Sequence, residues 1–268
     1  MTPRPLRTMD IAKAVGVHPN TVRLYEEWGF LPPIPRSPSG YRLFTETHLD
    51  QMRLARLALR VTWLGGMIRE AALTVIRLGA AGDMAGALDE ALVVQARLQG
   101  ERAQAEAAAE FLQRWARGEG VIPATAEPLL IGRAAALVNA TIDMLRNWER
   151  NGLLRVPRDP HSGYRLYGAA EIGRLRVIRM LLHSGYSTMA VLRTLLRLDE
   201  GQIENLRQVL DTPSPDEAGM TYDDRVYYAS DQWLTSLAEL EQVAADMISL
   251  LEEMIGKQQE TQKEAHDG

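Results

Sequence analysis

The chain contains no cysteine. Disulfides, thiolate metal sites and cysteine nucleophiles are therefore excluded together. No run approaches the roughly 18 to 20 apolar residues that a membrane-spanning helix requires. The opening segment, MTPRPLRTMD, has no apolar core of the kind a secretory signal needs. A soluble, cytoplasmic protein is the expectation. Signatures of catalysis are missing as well. There is no G-x-S-x-G and no H-E-x-x-H, and Gly79, Gly82 and Gly86 are not followed by the Lys-Ser/Thr of a phosphate loop. The histidines His18, His48, His161, His183 and His266 lack metal-ligand spacing and read as surface or packing residues. Neither an enzyme nor a resident cofactor is expected. What remains is a chain of 268 residues, 46% hydrophobic and 24% charged, an ordinary globular composition with length for about two domains.

The net charge of −5 conceals an uneven distribution. Residues 1–60 carry nine basic against five acidic side chains, and residues 129–185 carry nine against four. Residues 199–268 carry four basic and seventeen acidic side chains. Attraction to phosphate is local over about one Debye length, so two basic segments matter more than the acidic average. Charge alone also fits two ordinary solvated surfaces.

An internal repeat gives those segments meaning. Arg23-Leu24-Tyr25-Glu26-Glu27-Trp28-Gly29-Phe30-Leu31 is matched 123 residues later by Arg146-Asn147-Trp148-Glu149-Arg150-Asn151-Gly152-Leu153-Leu154. At the same offset Ser39-Gly40-Tyr41-Arg42-Leu43-Phe44 meets Ser162-Gly163-Tyr164-Arg165-Leu166-Tyr167. Two blocks in register mark a tandem duplication, with no insertion expected between them.

Each half reads alike: a short helix, a turn at Gly16 or Asn139, and a second helix. His18 with Pro19, or Thr141, starts that second helix, and Gly29 or Gly152 ends it. A Pro/Arg loop returns through a short strand, and a third helix follows over Glu46–Leu59 or about Ala169–Leu182. Further helical segments cover Gly66–Leu78 and Thr188–Leu198. Helix–turn–helix followed by a basic hairpin is a winged DNA-binding layout, with the second helix suited to a major groove.

The pattern aliphatic–Arg–x–aromatic–Glu–x–x–Gly–x–Leu, a Pro/Arg loop, then Ser-Gly-Tyr-Arg-Leu-(Phe/Tyr) resembles the MerR family of bacterial transcriptional regulators. About 70 residues in each half carry the resemblance. It implies a homodimer in which each subunit has one winged domain and one long helix, the long helices pairing antiparallel. It also implies double-stranded DNA and RNA polymerase as partners, and regulation by untwisting a promoter. The cysteine-based metal sensing of many relatives is closed to a chain without cysteine.

Here both halves lie on one chain. Trp233, Leu237, Leu240, Ala244, Met247, Leu251 and Met254 form a heptad seam, and Met84, Leu88, Leu92, Leu98, Ala105, Ala109, Leu112 and Trp115 form a looser one. A mainly α fold follows: winged domains at 1–80 and 129–198, long helices at 81–117 and 229–262, a linker at 118–128, a candidate effector region at 199–228 and a tail at 263–268. The helix order predicts an intramolecular antiparallel coil, so that a monomeric pseudo-dimer replaces the homodimer. A helix of about 35 residues spans about 50 Å and carries the chain from the first wing domain to the second.

In the first half the candidate DNA contacts are Asn20, Thr21, Arg23 and Tyr25 on the recognition helix, with Arg36, Tyr41 and Arg42 on the wing. In the second they are Asp143, Arg146 and Trp148, with Arg155, Arg158, Tyr164 and Arg165. Arg reads guanine or clamps phosphate. Tyr25 and Trp148 either reach the DNA backbone or pack beneath the wing. The family often has a basic residue where Asn20 and Asp143 stand. Asn20 can read adenine, whereas Asp143 repels phosphate and can only accept from a base such as cytosine. The predicted target is an imperfect inverted repeat with unlike half-sites. TYDDRVYYASDQW brings Tyr222, Tyr227, Tyr228 and Trp233 beside Asp223 and Asp224, which can cradle a small organic cation as effector or simply pack beside the coil. Two alternatives remain. One is an architectural factor that bends DNA. The other is a small-molecule-binding or protein-interaction module whose winged domains have reduced DNA contact.

Overall fold

Helix starts are dictated by local chemistry. His18 Nδ1 accepts from the Asn20 amide at 3.2 Å, ahead of Pro19 at the first helical position. Thr141 Oγ1 accepts from the Met144 amide at 3.1 Å, and Ser187 Oγ from the Ala190 amide at 2.9 Å. The turns before the second helices need left-handed backbone, supplied by Gly16 at φ +66° and Asn139 at φ +50°. The computed structural model describes residues 5–119, 127–212 and 229–267. The first half comprises α1 (Thr8–Val15), α2 (Pro19–Glu27), α3 (Glu46–Leu59), α4 (Gly66–Ala81) and α5 (Met84–Ala116). The second comprises α6 (Ile131–Leu137), α7 (Ile142–Arg150), α8 (Ala169–His183), α9 (Thr188–Asp199), α10 (Leu206–Leu210) and α11 (Trp233–Asp267).

The fold is mainly α, and no sheet forms among the described residues. Each wing is a hairpin closed by an isolated bridge, Arg36 to Arg42 or Arg158 to Arg165. A second bridge, Leu6 to Phe44 or Leu129 to Tyr167, ties its end to the start of the domain.

Pairing in the hairpins corrects one expectation. The flanking blocks keep the 123-residue offset, but the strand entering the wing does not. Leu43 N donates to Pro35 O and Ser37 N to Tyr41 O, whereas Leu166 N donates to Pro157 O and Asp159 N to Tyr164 O. The offset on the entering strand is therefore one residue less. The second wing is one residue shorter before the hairpin and one longer at its tip, where His161 is extra. The two changes cancel in length, which hid them. Arg158 is thus the counterpart of Arg36.

The chain divides into two compact units, residues 1–100 with 238–268, and residues 101–237. The start of α5 belongs with the end of α11, and the end of α5 with the start of α11. The two long helices are in contact, consistent with antiparallel packing. All seven seam residues foreseen on α11 are buried. On α5 the buried stripe is Met84, Ala87, Ala91, Val94, Leu98, Ala105, Ala108, Ala109 and Leu112. The foreseen Leu92 lies off it, 46% exposed, and Leu88 and Trp115 are half-buried. Small residues form this seam because they let two backbones approach closely, which a search for leucines misses. Helix α11 also runs on to Asp267, through the stretch assigned to a tail, because Gln, Glu, Lys and Ala sustain a helix without apolar spacing.

In the first unit Ile11, Val22, Phe44, Met52 and Leu54 form the centre of the wing domain. Buried Gln51 donates to Phe30 O and to Ile76 O, both at 2.9 Å. Beside it, buried Asp50 accepts from Lys257 Nζ of α11 at 2.6 Å and from Arg53 at 3.0 Å. In the second unit Leu145, Leu153, Leu154, Tyr167 and Ile172 take the central place. Arg174, the counterpart of Gln51, donates to Leu153 O at 2.7 Å. Gly173, the counterpart of Asp50, lies under Trp115 of α5, so that a Cβ there would stand 2.9 Å from the indole nitrogen. Tyr186 donates to Ala105 O of α5 at 3.1 Å, and burial pushes its hydroxyl pKa far above the ordinary value. Each wing domain therefore rests on the long helix of the opposite half of the sequence.

The duplication supplies its own control for one substitution. The Tyr167 hydroxyl is buried with no hydrogen-bond partner among the described residues, and its counterpart in the first half is Phe44. Tyr167→Phe removes an unsatisfied polar group from a site whose twin already holds the smaller ring. An increase in unfolding free energy of about 1 kcal/mol is expected in urea titration. A loss would show that the hydroxyl is satisfied in solution.

Candidate nucleic-acid interface

The recognition helices α2 and α7 present matched polar starts. Arg23 donates to Asn20 Oδ1 at 3.3 Å. At the same offset, Arg146 donates to Asp143 Oδ1 at 3.3 Å. Both arginines are exposed, and the Asp143 side chain is 90% exposed. Thr21 is half-buried. The two ends thus share one geometry and differ in charge, neutral plus cation against anion plus cation.

Tyr25 and Trp148 take the packing alternative and lie buried. The Tyr25 ring stacks on Trp28 at 6.0 Å and meets Phe30 edge-on at 5.8 Å. Burial raises its hydroxyl pKa, partly offset by the Arg56 charge.

The wing arginines fall into two groups. Arg42 Nε stands 2.5 Å from Glu26 and Arg165 Nε 2.6 Å from Glu149, each pair roughly three-quarters buried. These bonds hold the hairpin to the recognition helix. Arg36 also reaches Glu26, at 3.1 Å, while Arg158 instead donates to Gly163 O at 3.2 Å. Arg155 is exposed. At the tips Tyr41 and Tyr164 are 71% and 66% exposed. Asp159 organises the second tip by accepting from Ser162 N at 2.7 Å, Ser162 Oγ at 2.8 Å and His161 N at 3.0 Å. Those bonds hold its carboxyl below the ordinary pKa.

Glu26 and Glu149 were not singled out from sequence. The signal was available: they share the offset of Arg42 and Arg165. The proposed effector residues Tyr222, Asp223, Asp224, Tyr227 and Tyr228 lie outside the described residues. Trp233 is described, and it is 6% exposed. Its Nε1 donates to Ser184 O at 2.7 Å. Among the described residues no group of acidic, histidine or cysteine side chains is arranged to hold a metal, and no helix is long and apolar enough to cross a membrane.

Two copies of a helix–turn–helix with a hairpin wing, each clamped by an Arg–Glu pair, define a protein with two winged helix–turn–helix domains. Residues 129–198 match the MerR HTH family regulatory protein profile, and residues 7–44 match the MerR family regulatory protein profile. Two separate regions of this one polypeptide thus match MerR-family helix–turn–helix models. It is similar to the HTH-type transcriptional regulator CueR of Escherichia coli O6:H1, 42% identical over 52 residues, 19% of this chain and 38% of that protein. It is also similar to the mercuric resistance operon regulatory proteins of Shigella flexneri and Pseudomonas fluorescens. These are 35% and 33% identical over 75 residues, 28% of this chain and 51% of each relative. The chain thus spans about half or less of the length of these curated relatives. No solved structure matches it significantly.

Proposed function

We propose that this protein is a DNA-binding transcription regulator whose single chain does the work of a family dimer. It grips an imperfect inverted repeat in promoter DNA and distorts it so that RNA polymerase responds. The observation that carries this reading is the crossed packing. Asp50 of the first winged domain is held by Lys257 of α11, and Tyr186 of the second is held by Ala105 of α5. In a dimer of single-domain subunits such contacts would come from the other chain. Here they come from the other half of the same chain, and no second copy is required.

Arg23, Asn20 and Thr21 face one half-site, and Arg146 and Asp143 the other. Tyr41, Tyr164, Arg155 and Arg158 serve flanking phosphates. Native mass spectrometry on DNA selected from a random pool tests the proposal. One chain per two-half-site duplex is expected. Two chains per duplex would overturn the pseudo-dimer, and a selected perfect palindrome would overturn the unlike half-sites.

Arg42 and Arg165 have two candidate jobs, gripping phosphate or holding the wing, and salt dependence separates them. A phosphate contact adds about one unit to the slope of log affinity against log salt, whereas a tether lowers affinity with the slope unchanged. The Glu26 and Glu149 pairs favour the tether. Arg42→Ala is expected to weaken binding about tenfold across all sequences, equivalent to about 1.4 kcal/mol. The slope, measured by fluorescence anisotropy over a salt series, is expected to stay the same.

One observation favours a second reading for the second domain. Leu130, Leu137 and Ile142 are exposed around its helix–turn–helix, where the first domain has Arg7, Ala14 and Pro19. With the Asp143 carboxylate among them, this surface has the chemistry of reduced DNA contact and suits a protein partner. On that reading Arg146→Ala would leave DNA affinity almost intact, while Arg23→Ala would still weaken it.

A further inference from the structure

The two halves differ most between the winged domain and the long helix. In the first half α4 and α5 are joined by Gly82 and Asp83 alone. In the second, residues 200–232 intervene between α9 and α11. One described part of that insertion, Gly201 to Thr212, faces α9 across a cavity of about 780 Å³. Arg193 and Arg197, one helical turn apart on α9, form one wall, and Gln202, Asn205 and Gln208 form much of the other.

The charge in this cavity is unbalanced. Arg193 donates to carbonyl oxygens, Val209 O at 3.3 Å and Asp231 O at 3.5 Å. Arg197 donates to the side-chain amide oxygen of Gln202 at 3.1 Å. Neither has a carboxylate partner among the described residues. Arginines nearby are neutralised: Arg174 pairs with Asp199, and Arg207 with Glu106 at 3.1 Å. Gln202 is itself engaged, accepting from Arg197 and donating to Glu200 at 3.3 Å, but two oriented guanidinium groups with no described counter-ion, opposite the amides of Asn205 and Gln208, suit an anion bearing further hydrogen-bonding groups. Glu204 is the acidic residue of the described lining. Ile203 and Val209 add apolar surface.

The same segment is fastened to both long helices. Gln113 of α5 donates to Ile203 O at 2.6 Å and accepts from Leu206 N at 3.3 Å. Asp211 accepts from Leu234 N at 2.8 Å and from Thr235 Oγ1 at 2.6 Å at the start of α11. A ligand that draws the insertion toward α9 therefore pulls on both helices at once.

We propose that this cavity is a binding site for a small organic anion, a carboxylate or phosphate ester, held by Arg193 and Arg197. Its service as an effector site rests on the regulator reading above, but anion binding itself does not. The insertion has no counterpart in the first half, so one such site is expected among the described residues.

Calorimetric titration of the full chain with citrate, glucose 6-phosphate and inorganic phosphate, in the absence of DNA, is the test. At least one of the two organic anions is expected to bind with one site per chain and more tightly than inorganic phosphate. In Arg193→Gln/Arg197→Gln the affinity is expected to fall at least about tenfold, with an unchanged melting temperature and DNA affinity. No binding by either organic anion overturns the proposal, as does equal affinity in the double variant, or inorganic phosphate binding as tightly as the organic anions. DNA affinity lost in the variant would assign these arginines to DNA phosphates instead. Absence of DNA binding by the unaltered chain would refute the regulator reading and leave the anion titration standing.

Discussion

Gly185→Ala is expected to cost about 3 kcal/mol of stability, more than an ordinary glycine replacement. Gly185 follows the end of α8 with φ +94°, where an L residue is strained by about 1 to 2 kcal/mol. The added methyl would also stand 2.5 Å from Nε1 and Cε2 of Trp233. The indole has little freedom to withdraw, because it is buried and its Nε1 is bonded to Ser184 O at 2.7 Å. Overpacking of that kind costs about 1 to 3 kcal/mol. Gly29→Ala isolates the two effects, since Gly29 has φ +70° and open space around its missing Cβ. Only the backbone strain is expected there. Equal losses in the two variants, measured by chemical denaturation, would mean that Trp233 does not sit over Gly185 in solution. Trp233 is the first residue of α11. Its contact with Gly185 docks the start of that helix onto the end of α8, within the second unit, so a loss there loosens the support of the second winged domain.

The parts of the fold legible in sequence are those fixed by local rules. Pro19, Thr141, Gly16 and Asn139 mark helix starts and turns because capping and left-handed backbone restrict which residues can stand there. The seam of α11 is legible because Leu and Met recur at heptad spacing. The α5 seam was read toward Leu88 and Leu92, because Ala87 and Ala91 carry little hydrophobic signal although they face the core. The wing register was hidden by two compensating changes of length. Glu26 and Glu149 stand in the repeated motif, but no local rule joins them to Arg42 and Arg165, which the hairpin brings onto them. The contacts that decide the architecture join residues distant in the chain. Lys257 meets Asp50 across 207 positions, and Trp115 reaches Gly173 from the other half of the duplication. No periodicity reports such a pairing. The same limit applies to Arg193 and Arg197, which no motif or spacing in the sequence distinguishes from the other arginines. Only the fold sets them apart, by placing both on one cavity without a described carboxylate partner.

Exchanging the residues at one matched position should exchange the DNA preference of the two domains. Asn20 and Asp143 stand at the same place on α2 and α7, and each accepts from the arginine one turn on at 3.3 Å. A base-edge contact discriminates by about 1 to 3 kcal/mol, roughly tenfold to a hundredfold in affinity. Asn20→Asp places a carboxylate near phosphate and removes an amide that can bond adenine, so DNA affinity is expected to fall by about that amount. Asp143→Asn acts in the opposite sense. It removes a carboxylate that is 90% exposed and frees Arg146 from its ion pair, so that the guanidinium can turn to guanine or phosphate. Affinity is expected to rise about tenfold. The fold will register the change weakly, since an acid in the first turn of α7 contributes only about 0.3 to 1 kcal/mol through the helix dipole. In the double variant the charges are exchanged but the wings are untouched. The non-specific, salt-dependent part of binding should therefore stay close to that of the unaltered chain, while the preferred half-sites trade places. Selection from a random DNA pool reads this directly. An operator selected by the double variant with its half-sites in the original order would show that Asn20 and Asp143 take no part in base readout. Specificity would then reside in deformation of the DNA between the half-sites.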